Sequence, residues 1–183
     1  LSDNGGCAED IPENVPVDEL VKNLMIARSH TRSGEVVAIG NRPGVIPGPE
    51  NTYLSYGTAW ANLSNTPFRL YKHWVHEGGI ATPLIIHWPA GIKGAGELRH
   101  SPGQLPDIMA TVLELAGADY PSSYAGHTIL PQEGTSLVPL LGQDQRERGP
   151  LFWEHEGNAA VRLGQWKLVR RYPGAWELYD MER

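Results

Sequence analysis

The sequence predicts an α/β chain that closes with a small antiparallel sheet. Three observations predict it. Apolar residues recur at helical spacing in two stretches, 16–28 and 105–117. An apolar run of strand length, Ile80 to Trp88, lies between them. After Gly142, four short β-prone runs alternate with turn residues.

Each element has its own signal. In the first stretch Val17, Leu20, Val21, Leu24 and Met25 share one face, Pro16 stands near the start, and Asp18 and Glu19 occupy the first turn, where carboxylates suit the helix dipole. Residues 29–65 hold no sustained period, and Gly40, Pro43, Gly44, Pro47, Gly48 and Pro49 mark a long loop, either a surface excursion or the rim of an active site. Thr66-Pro67 opens a short helical stretch through Phe68, Leu70, Tyr71, Trp74 and Val75, stopped by Gly78-Gly79. The run from Ile80 to Trp88, bounded by Pro89, suits a buried strand. The next helix carries Leu105, Ile108, Met109, Val112 and Leu113 on one face, with Pro106 at its start and Gly117 past its end.

The runs Leu151–His155, Ala159–Arg162, Trp166–Arg170 and Trp176–Tyr179 are separated by Gly157-Asn158, Gly164-Gln165 and Pro173-Gly174, which predicts a four-stranded meander. The expected division is therefore an α/β part over 1–142 and a β subdomain over 143–183.

Composition narrows the function classes. The chain has 183 residues and a net charge of −6, which argues against a broad nucleic-acid surface or a polybasic membrane patch. The densest basic spot, Lys167 with Arg170 and Arg171, does not make a groove. No apolar run reaches the ~18 residues of a membrane helix. Cys7 is the only cysteine, which excludes an intrachain disulfide and a Cys-rich zinc site. With 21 Gly and 15 Pro, many turns and long loops are expected. Starting on Leu1-Ser2-Asp3-Asn4-Gly5, the chain reads as a piece of something longer.

Several residues carry potential chemistry. Asp3 and Asn4 are adjacent oxygen donors of the kind Ca²⁺ or Mg²⁺ takes, and Gly5-Gly6 lets the backbone approach a ligand; the same four residues also suit a plain turn. Lys72, among Tyr71, His73 and Trp74, is placed to hold an anion or protonate a leaving oxygen, or else is a solvated helix lysine. His73 and His76 stand three apart, a spacing that suits a metal, though packing or solvent exposure is commoner for such a pair. Trp153, Trp166 and Trp176 suit either sugar stacking or a sheet core. No phosphate-binding glycine loop, nucleophile-elbow motif or H-E-x-x-H motif occurs.

In order along the chain, these pieces resemble the C-terminal portion of a type I sulfatase, of the arylsulfatase family within the alkaline-phosphatase-like superfamily. Ser2-Asp3-Asn4-Gly5 is similar to the family's strand-end motif. Thr66-Pro67-Phe68-Arg69, Tyr71-Lys72 and Glu77-Gly78-Gly79-Ile80-Ala81-Thr82-Pro83 resemble its lysine motif. Asp107 to Leu113 with Ala116-Gly117, Gly134-Thr135-Ser136-Leu137, Trp166-Lys167-Leu168-Val169 and Glu177-Leu178-Tyr179-Asp180 resemble its later segments.

The resemblance implies a sulfuric ester hydrolase core. Asp3 and Asn4 would be two ligands of a divalent cation, Ca²⁺ or Mg²⁺, and Lys72 would contact the sulfate and the ester oxygen. The substrate would be a small sulfate ester or a sulfated glycan, and the setting periplasmic or secreted. It also implies a formylglycine nucleophile made in a C/S-x-P/A-x-R motif. Cys7, followed by Ala8-Glu9-Asp10-Ile11, lacks that Pro and Arg, so the nucleophile is expected upstream and the chain alone inactive. The rival readings are a phosphate or phosphonate ester hydrolase of the same superfamily, and a non-catalytic glycan-binding module built on the three tryptophans.

Overall fold

The computed structural model describes residues 2–11, 16, 18, 19, 22, 28–94, 96–142 and 148–183. The helix expected over 16–28 lies largely outside them. Internal contacts divide the chain into two units: residues 84–150, and residues 2–83 together with 151–183. The closing sheet thus falls in the same unit as residues 2–83.

In the larger unit, two-residue strands β1 (Ala38–Ile39) and β2 (Thr52–Tyr53) pair in parallel, and helix α1 spans Gly57–Asn65. The region expected to be loop therefore holds a helix. Its buried positions are Gly57 and Ala61, four apart, while Trp60 and Leu63 face outward. A buried face of small residues leaves no apolar period to read. The helix is small on that side because a loop crosses it: a Cβ on Gly6 would lie 3.1 Å from the Ala61 Cα and 2.8 Å from the Ser64 hydroxyl.

The helical stretch expected from Thr66 to Val75 is instead a chain of turns. Leu70 (φ 69°) and His73 (φ 98°) take left-handed backbone, which a right-handed helix cannot contain. Only Glu77–Ile80 forms a helical turn, α2. Its glycines are required by close approach: a Cβ on Gly78 would sit 2.1 Å from the Leu70 carbonyl oxygen, and one on Gly79 1.9 Å from that of Trp74.

The closing meander is as expected. Strands Leu151–His155, Asn158–Leu163, Trp166–Arg170 and Trp176–Asp180 pair antiparallel in sequence order. One face carries Ala160 and Val169 onto Val75, with Trp153 packed against that cluster. Lys167 shares this face, 1% exposed, and pairs with Glu77. The register places Trp153 with Ala160 and Val169, and Trp166 and Trp176 on the opposite face, half exposed. The three tryptophans therefore do not form one stacking platform.

In the smaller unit the helix Leu105–Ala116 (α3) has the bounds its sequence signals, with a Gln104–Asp107 capping box and Gly117 in left-handed backbone at the end. The face it buries is polar. Asp107 and Thr111 point inward, while Leu105, Met109, Val112 and Leu115 are about half exposed. Asp107 accepts from the Thr135 backbone N–H at 2.8 Å and from both Arg148 guanidinium nitrogens, and the Thr111 hydroxyl accepts from the Leu137 N–H at 2.8 Å. Burial alone would push the Asp107 carboxyl up. Arg148, then the Thr135 and Gln104 N–H groups, outweigh it and hold the carboxyl below its ordinary value of 3.8.

Its contribution to stability is complete above that ordinary value and is lost as pH falls through the depressed one. Asp107→Ala strands a guanidinium that is 14% exposed. It is expected to cost ~3–5 kcal/mol in denaturant unfolding of the intact protein.

The buried strand expected over Ile80–Trp88 is not formed. Residues 81–88 belong to no strand, and Ile85 is 84% exposed. A strand buried on both faces needs neighbours, and none of the described segments supplies them.

Candidate functional site

The site forms where the loop of residues 2–6 is stitched to the turns preceding α2. The Gly5 N–H donates to the Gly79 carbonyl at 2.9 Å, the Lys72 N–H to the Gly6 carbonyl at 3.0 Å, and the Gly6 N–H to the Asn65 side-chain oxygen at 3.0 Å. The Asn65 side-chain nitrogen donates onward to the Leu70 carbonyl at 2.9 Å, and the Thr82 hydroxyl to the Ser2 carbonyl at 2.7 Å. Contact is so close that a Cβ on Gly5 would fall 1.8 Å from the Gly78 oxygen. The Gly5-Gly6 pair is thus required by packing, beyond any turn it makes.

This stitching brings Asn4 and Lys72, distant in sequence, to the wall of one cavity of about 720 Å³. Cys7, Ala8 and Glu9 continue the wall from the first loop, and Tyr71, His73 and Trp74 flank Lys72. Glu154, His155 and Glu156 enter from the first hairpin of the sheet. Lys72 is exposed and sits on a turn rather than a helix. Asp3 is exposed beside Asn4 and does not line the cavity.

Ionic groups tie the segment around α2 to the sheet. Lys167 bonds to Glu77 and lies 5.3 Å from the centre of the Trp153 ring. Burial pushes the Lys167 ammonium below its ordinary value, and Glu77 opposes that shift. Arg69 reaches the sheet's last strand, donating to Glu177 at 2.8 Å and to the Tyr179 hydroxyl at 3.0 Å, and Tyr179 itself donates to Glu177. The Tyr179 hydroxyl and then the Glu177 charge raise Arg69. The hydrogen bond from Tyr179 lowers Glu177, and the same bond raises Tyr179.

His76 is buried, with Nε2 3.6 Å from Glu177, and burial lowers its pKa. His76 is thus a packing residue and His73 an exposed one, the commoner roles for such a pair. His73 is exposed and turns instead to the hairpin: its Nδ1 lies 3.5 Å from Glu156, and its ring centre is 5.2 Å from that of His155. Nothing in the sequence announces this meeting, because it depends on tertiary packing of two distant turns.

A family model described as N-sulphoglucosamine sulphohydrolase, C-terminal, matches residues 68–183. The chain belongs to this sulfatase family. The matched region spans Lys72, α2 and the whole meander, and leaves Asp3 and Asn4 outside it. Among relatives, the sulfatase chain is 29% identical over 144 residues to an uncharacterized sulfatase of Schizosaccharomyces pombe, covering 74% of this chain and 26% of that one. It is 37% identical over 117 residues to the N-acetylgalactosamine-6-sulfatase of Sus scrofa, covering 62% and 21%. A crystal structure of Ps i-CgsB in complex with k-i-k-neocarrahexaose superposes with a TM-score of 0.54 at 25% identity, over 69% of this chain and 28% of that one. The chain thus spans about a fifth to a quarter of the length of the curated relatives it matches.

The donor chemistry at the first loop fits a hard cation. Asp3 offers a carboxylate and Asn4 an amide oxygen. Ca²⁺ takes about 6–8 oxygens, so these two would be a minority of its ligands.

Proposed function

We propose that this chain supplies the leaving-group side of the active site of a sulfuric ester hydrolase with an alkaline-phosphatase-like core, acting on a sulfated glycan. The observation that carries the proposal is the backbone stitching of residues 5 and 6 to 72 and 79, which sets Asn4 and Lys72 on one cavity wall. The amino sugar in the name of the Sus scrofa relative and the oligosaccharide bound in the Ps i-CgsB structure support a glycan substrate.

Asp3 and Asn4 would hold a divalent cation, Ca²⁺ in this reading, which supplies charge neutralisation beside the sulfate. The Lys72 ammonium would contact the sulfate and the bridging ester oxygen. As the S–O bond breaks, that oxygen gains negative charge, and Lys72 stabilises it and donates the proton that completes the alcohol. The nucleophile, a formylglycine, would come from outside this chain, which alone would be inactive.

Turnover of matched aryl sulfate and aryl phosphate monoesters by the intact protein tests the reaction class. A higher kcat/KM on the sulfate, lost in Asp3→Ala and partly restored by excess Ca²⁺, is expected. Preference for the phosphate would move the chain to the ester hydrolases of the same superfamily.

A further inference from the structure

We propose that His73, His155 and Glu156 form a second metal site at the cavity rim, one that takes a borderline transition cation of the Zn²⁺ class. The binding claim does not rest on the sulfatase reading; only its service to an anionic substrate does.

The ligand atoms of these three exposed side chains all lie within 4.8 Å of one another. Donors bound tetrahedrally at about 2.1 Å stand roughly 3.4 Å apart, so a closure of up to about 1.4 Å is needed. Exposed imidazole and carboxylate side chains supply that by rotamer adjustment, without backbone movement.

The backbones carrying them are already fixed. His155 pairs with Asn158 across a two-residue turn in which Glu156 (φ 53°) and Gly157 (φ 82°) both take positive φ, the geometry of a tight hairpin. The buried Asn158 side chain donates to the His155 carbonyl at 2.9 Å and accepts from the Tyr172 N–H at 3.0 Å, which pins the hairpin base. Opposite, His73 is held in left-handed backbone between Lys72, whose N–H is bonded to Gly6, and Trp74, whose N–H donates to the Tyr71 carbonyl at 3.1 Å.

Two imidazoles and one carboxylate favour Zn²⁺ over Ca²⁺, which prefers oxygen, and three protein ligands leave a position open. The cavity wall carries further carboxylates beside these ligands. Glu9, Glu154 and Glu156 line it against the single ammonium of Lys72. A metal at the hairpin would offset the carboxylates and present its open position to a second anionic or hydroxyl group of the substrate.

The test is calorimetric titration of the intact protein with Zn²⁺ in a large excess of Ca²⁺, with Co²⁺ absorption as a second reading. Wild type is expected to bind one more equivalent of Zn²⁺ than His155→Ala and to show a Co²⁺ ligand-field band that the variant loses. Glu156→Gln is expected to weaken the same event by ~10-fold or more, and thermal unfolding of both variants checks that they fold. Equal stoichiometry and affinity in wild type and both variants would overturn the site. Lys72→Ala should retain the Zn²⁺ equivalent whatever its effect on turnover, so loss of the metal site and loss of the sulfatase reading are separate results.

Discussion

On the proposed function, Lys72→Ala in the intact protein is expected to lower kcat on a sulfate monoester by ~10²–10³-fold, the cost of removing one preorganised group that stabilises a developing oxyanion. The variant should fold, because Lys72 is exposed and its structural tie to Gly6 runs through its backbone N–H, which alanine keeps. Lys72→Arg should recover little. A planar guanidinium preserves the charge but not the point-like donor at the ester oxygen. The signature is a fall in kcat larger than any rise in KM, strongest for substrates whose alkoxide is a poor leaving group, since those depend most on the proton. Equal loss on good and poor leaving groups would limit Lys72 to binding the sulfate.

The second large effect is on stability. Glu77→Ala leaves the Lys167 ammonium buried with its carboxylate partner gone, and is expected to cost ~3–5 kcal/mol in chemical unfolding. Replacing both members, Glu77→Met with Lys167→Met, should recover most of that, because the penalty lies in the unpaired charge rather than in the loss of an attraction. The pair matters to the site through position. Glu77 begins the turn whose glycines clasp the carbonyls of Arg69, Leu70, Tyr71 and Trp74, and Lys167 fastens that turn to the sheet. The single variant should therefore lose activity together with stability, while the double variant regains both. A stable but inactive double variant would give Glu77 a role beyond anchoring.

Parts of this arrangement are legible in the residues alone. The meander is, because its four runs are β-prone and each turn between them carries its own glycine. The helix ending at Gly117 is too, since Pro106 and Gly117 bracket its period, although its buried side proved to be the polar Asp107–Thr111 side. Helix α1 is not legible, for it packs through Gly57 and Ala61, where a missing side chain is the signal.

The turns around Lys72 misled for a related reason. Their apolar residues fall at helical spacing, yet Leu70 and His73 adopt left-handed backbone that spacing cannot disclose. At the site, Asp3, Asn4 and Lys72 are marked by family resemblance, since by residue type alone they equally suit a turn and a solvated lysine. The convergence of His73 with His155 and Glu156, and the burial of Lys167 on Glu77, arise only when distant segments meet.

The most direct measurement is a crystal structure of the intact protein with Ca²⁺ and a sulfate ester or sulfate bound. The Lys72 ammonium is expected within ~2.7–3.2 Å of a sulfate oxygen, with Asp3 and Asn4 oxygens at ~2.3–2.6 Å from the cation. Sulfate bound elsewhere, with Lys72 in solvent and Asp3 and Asn4 making no contact with the ion, would contradict the assignment of this cavity to sulfate ester hydrolysis.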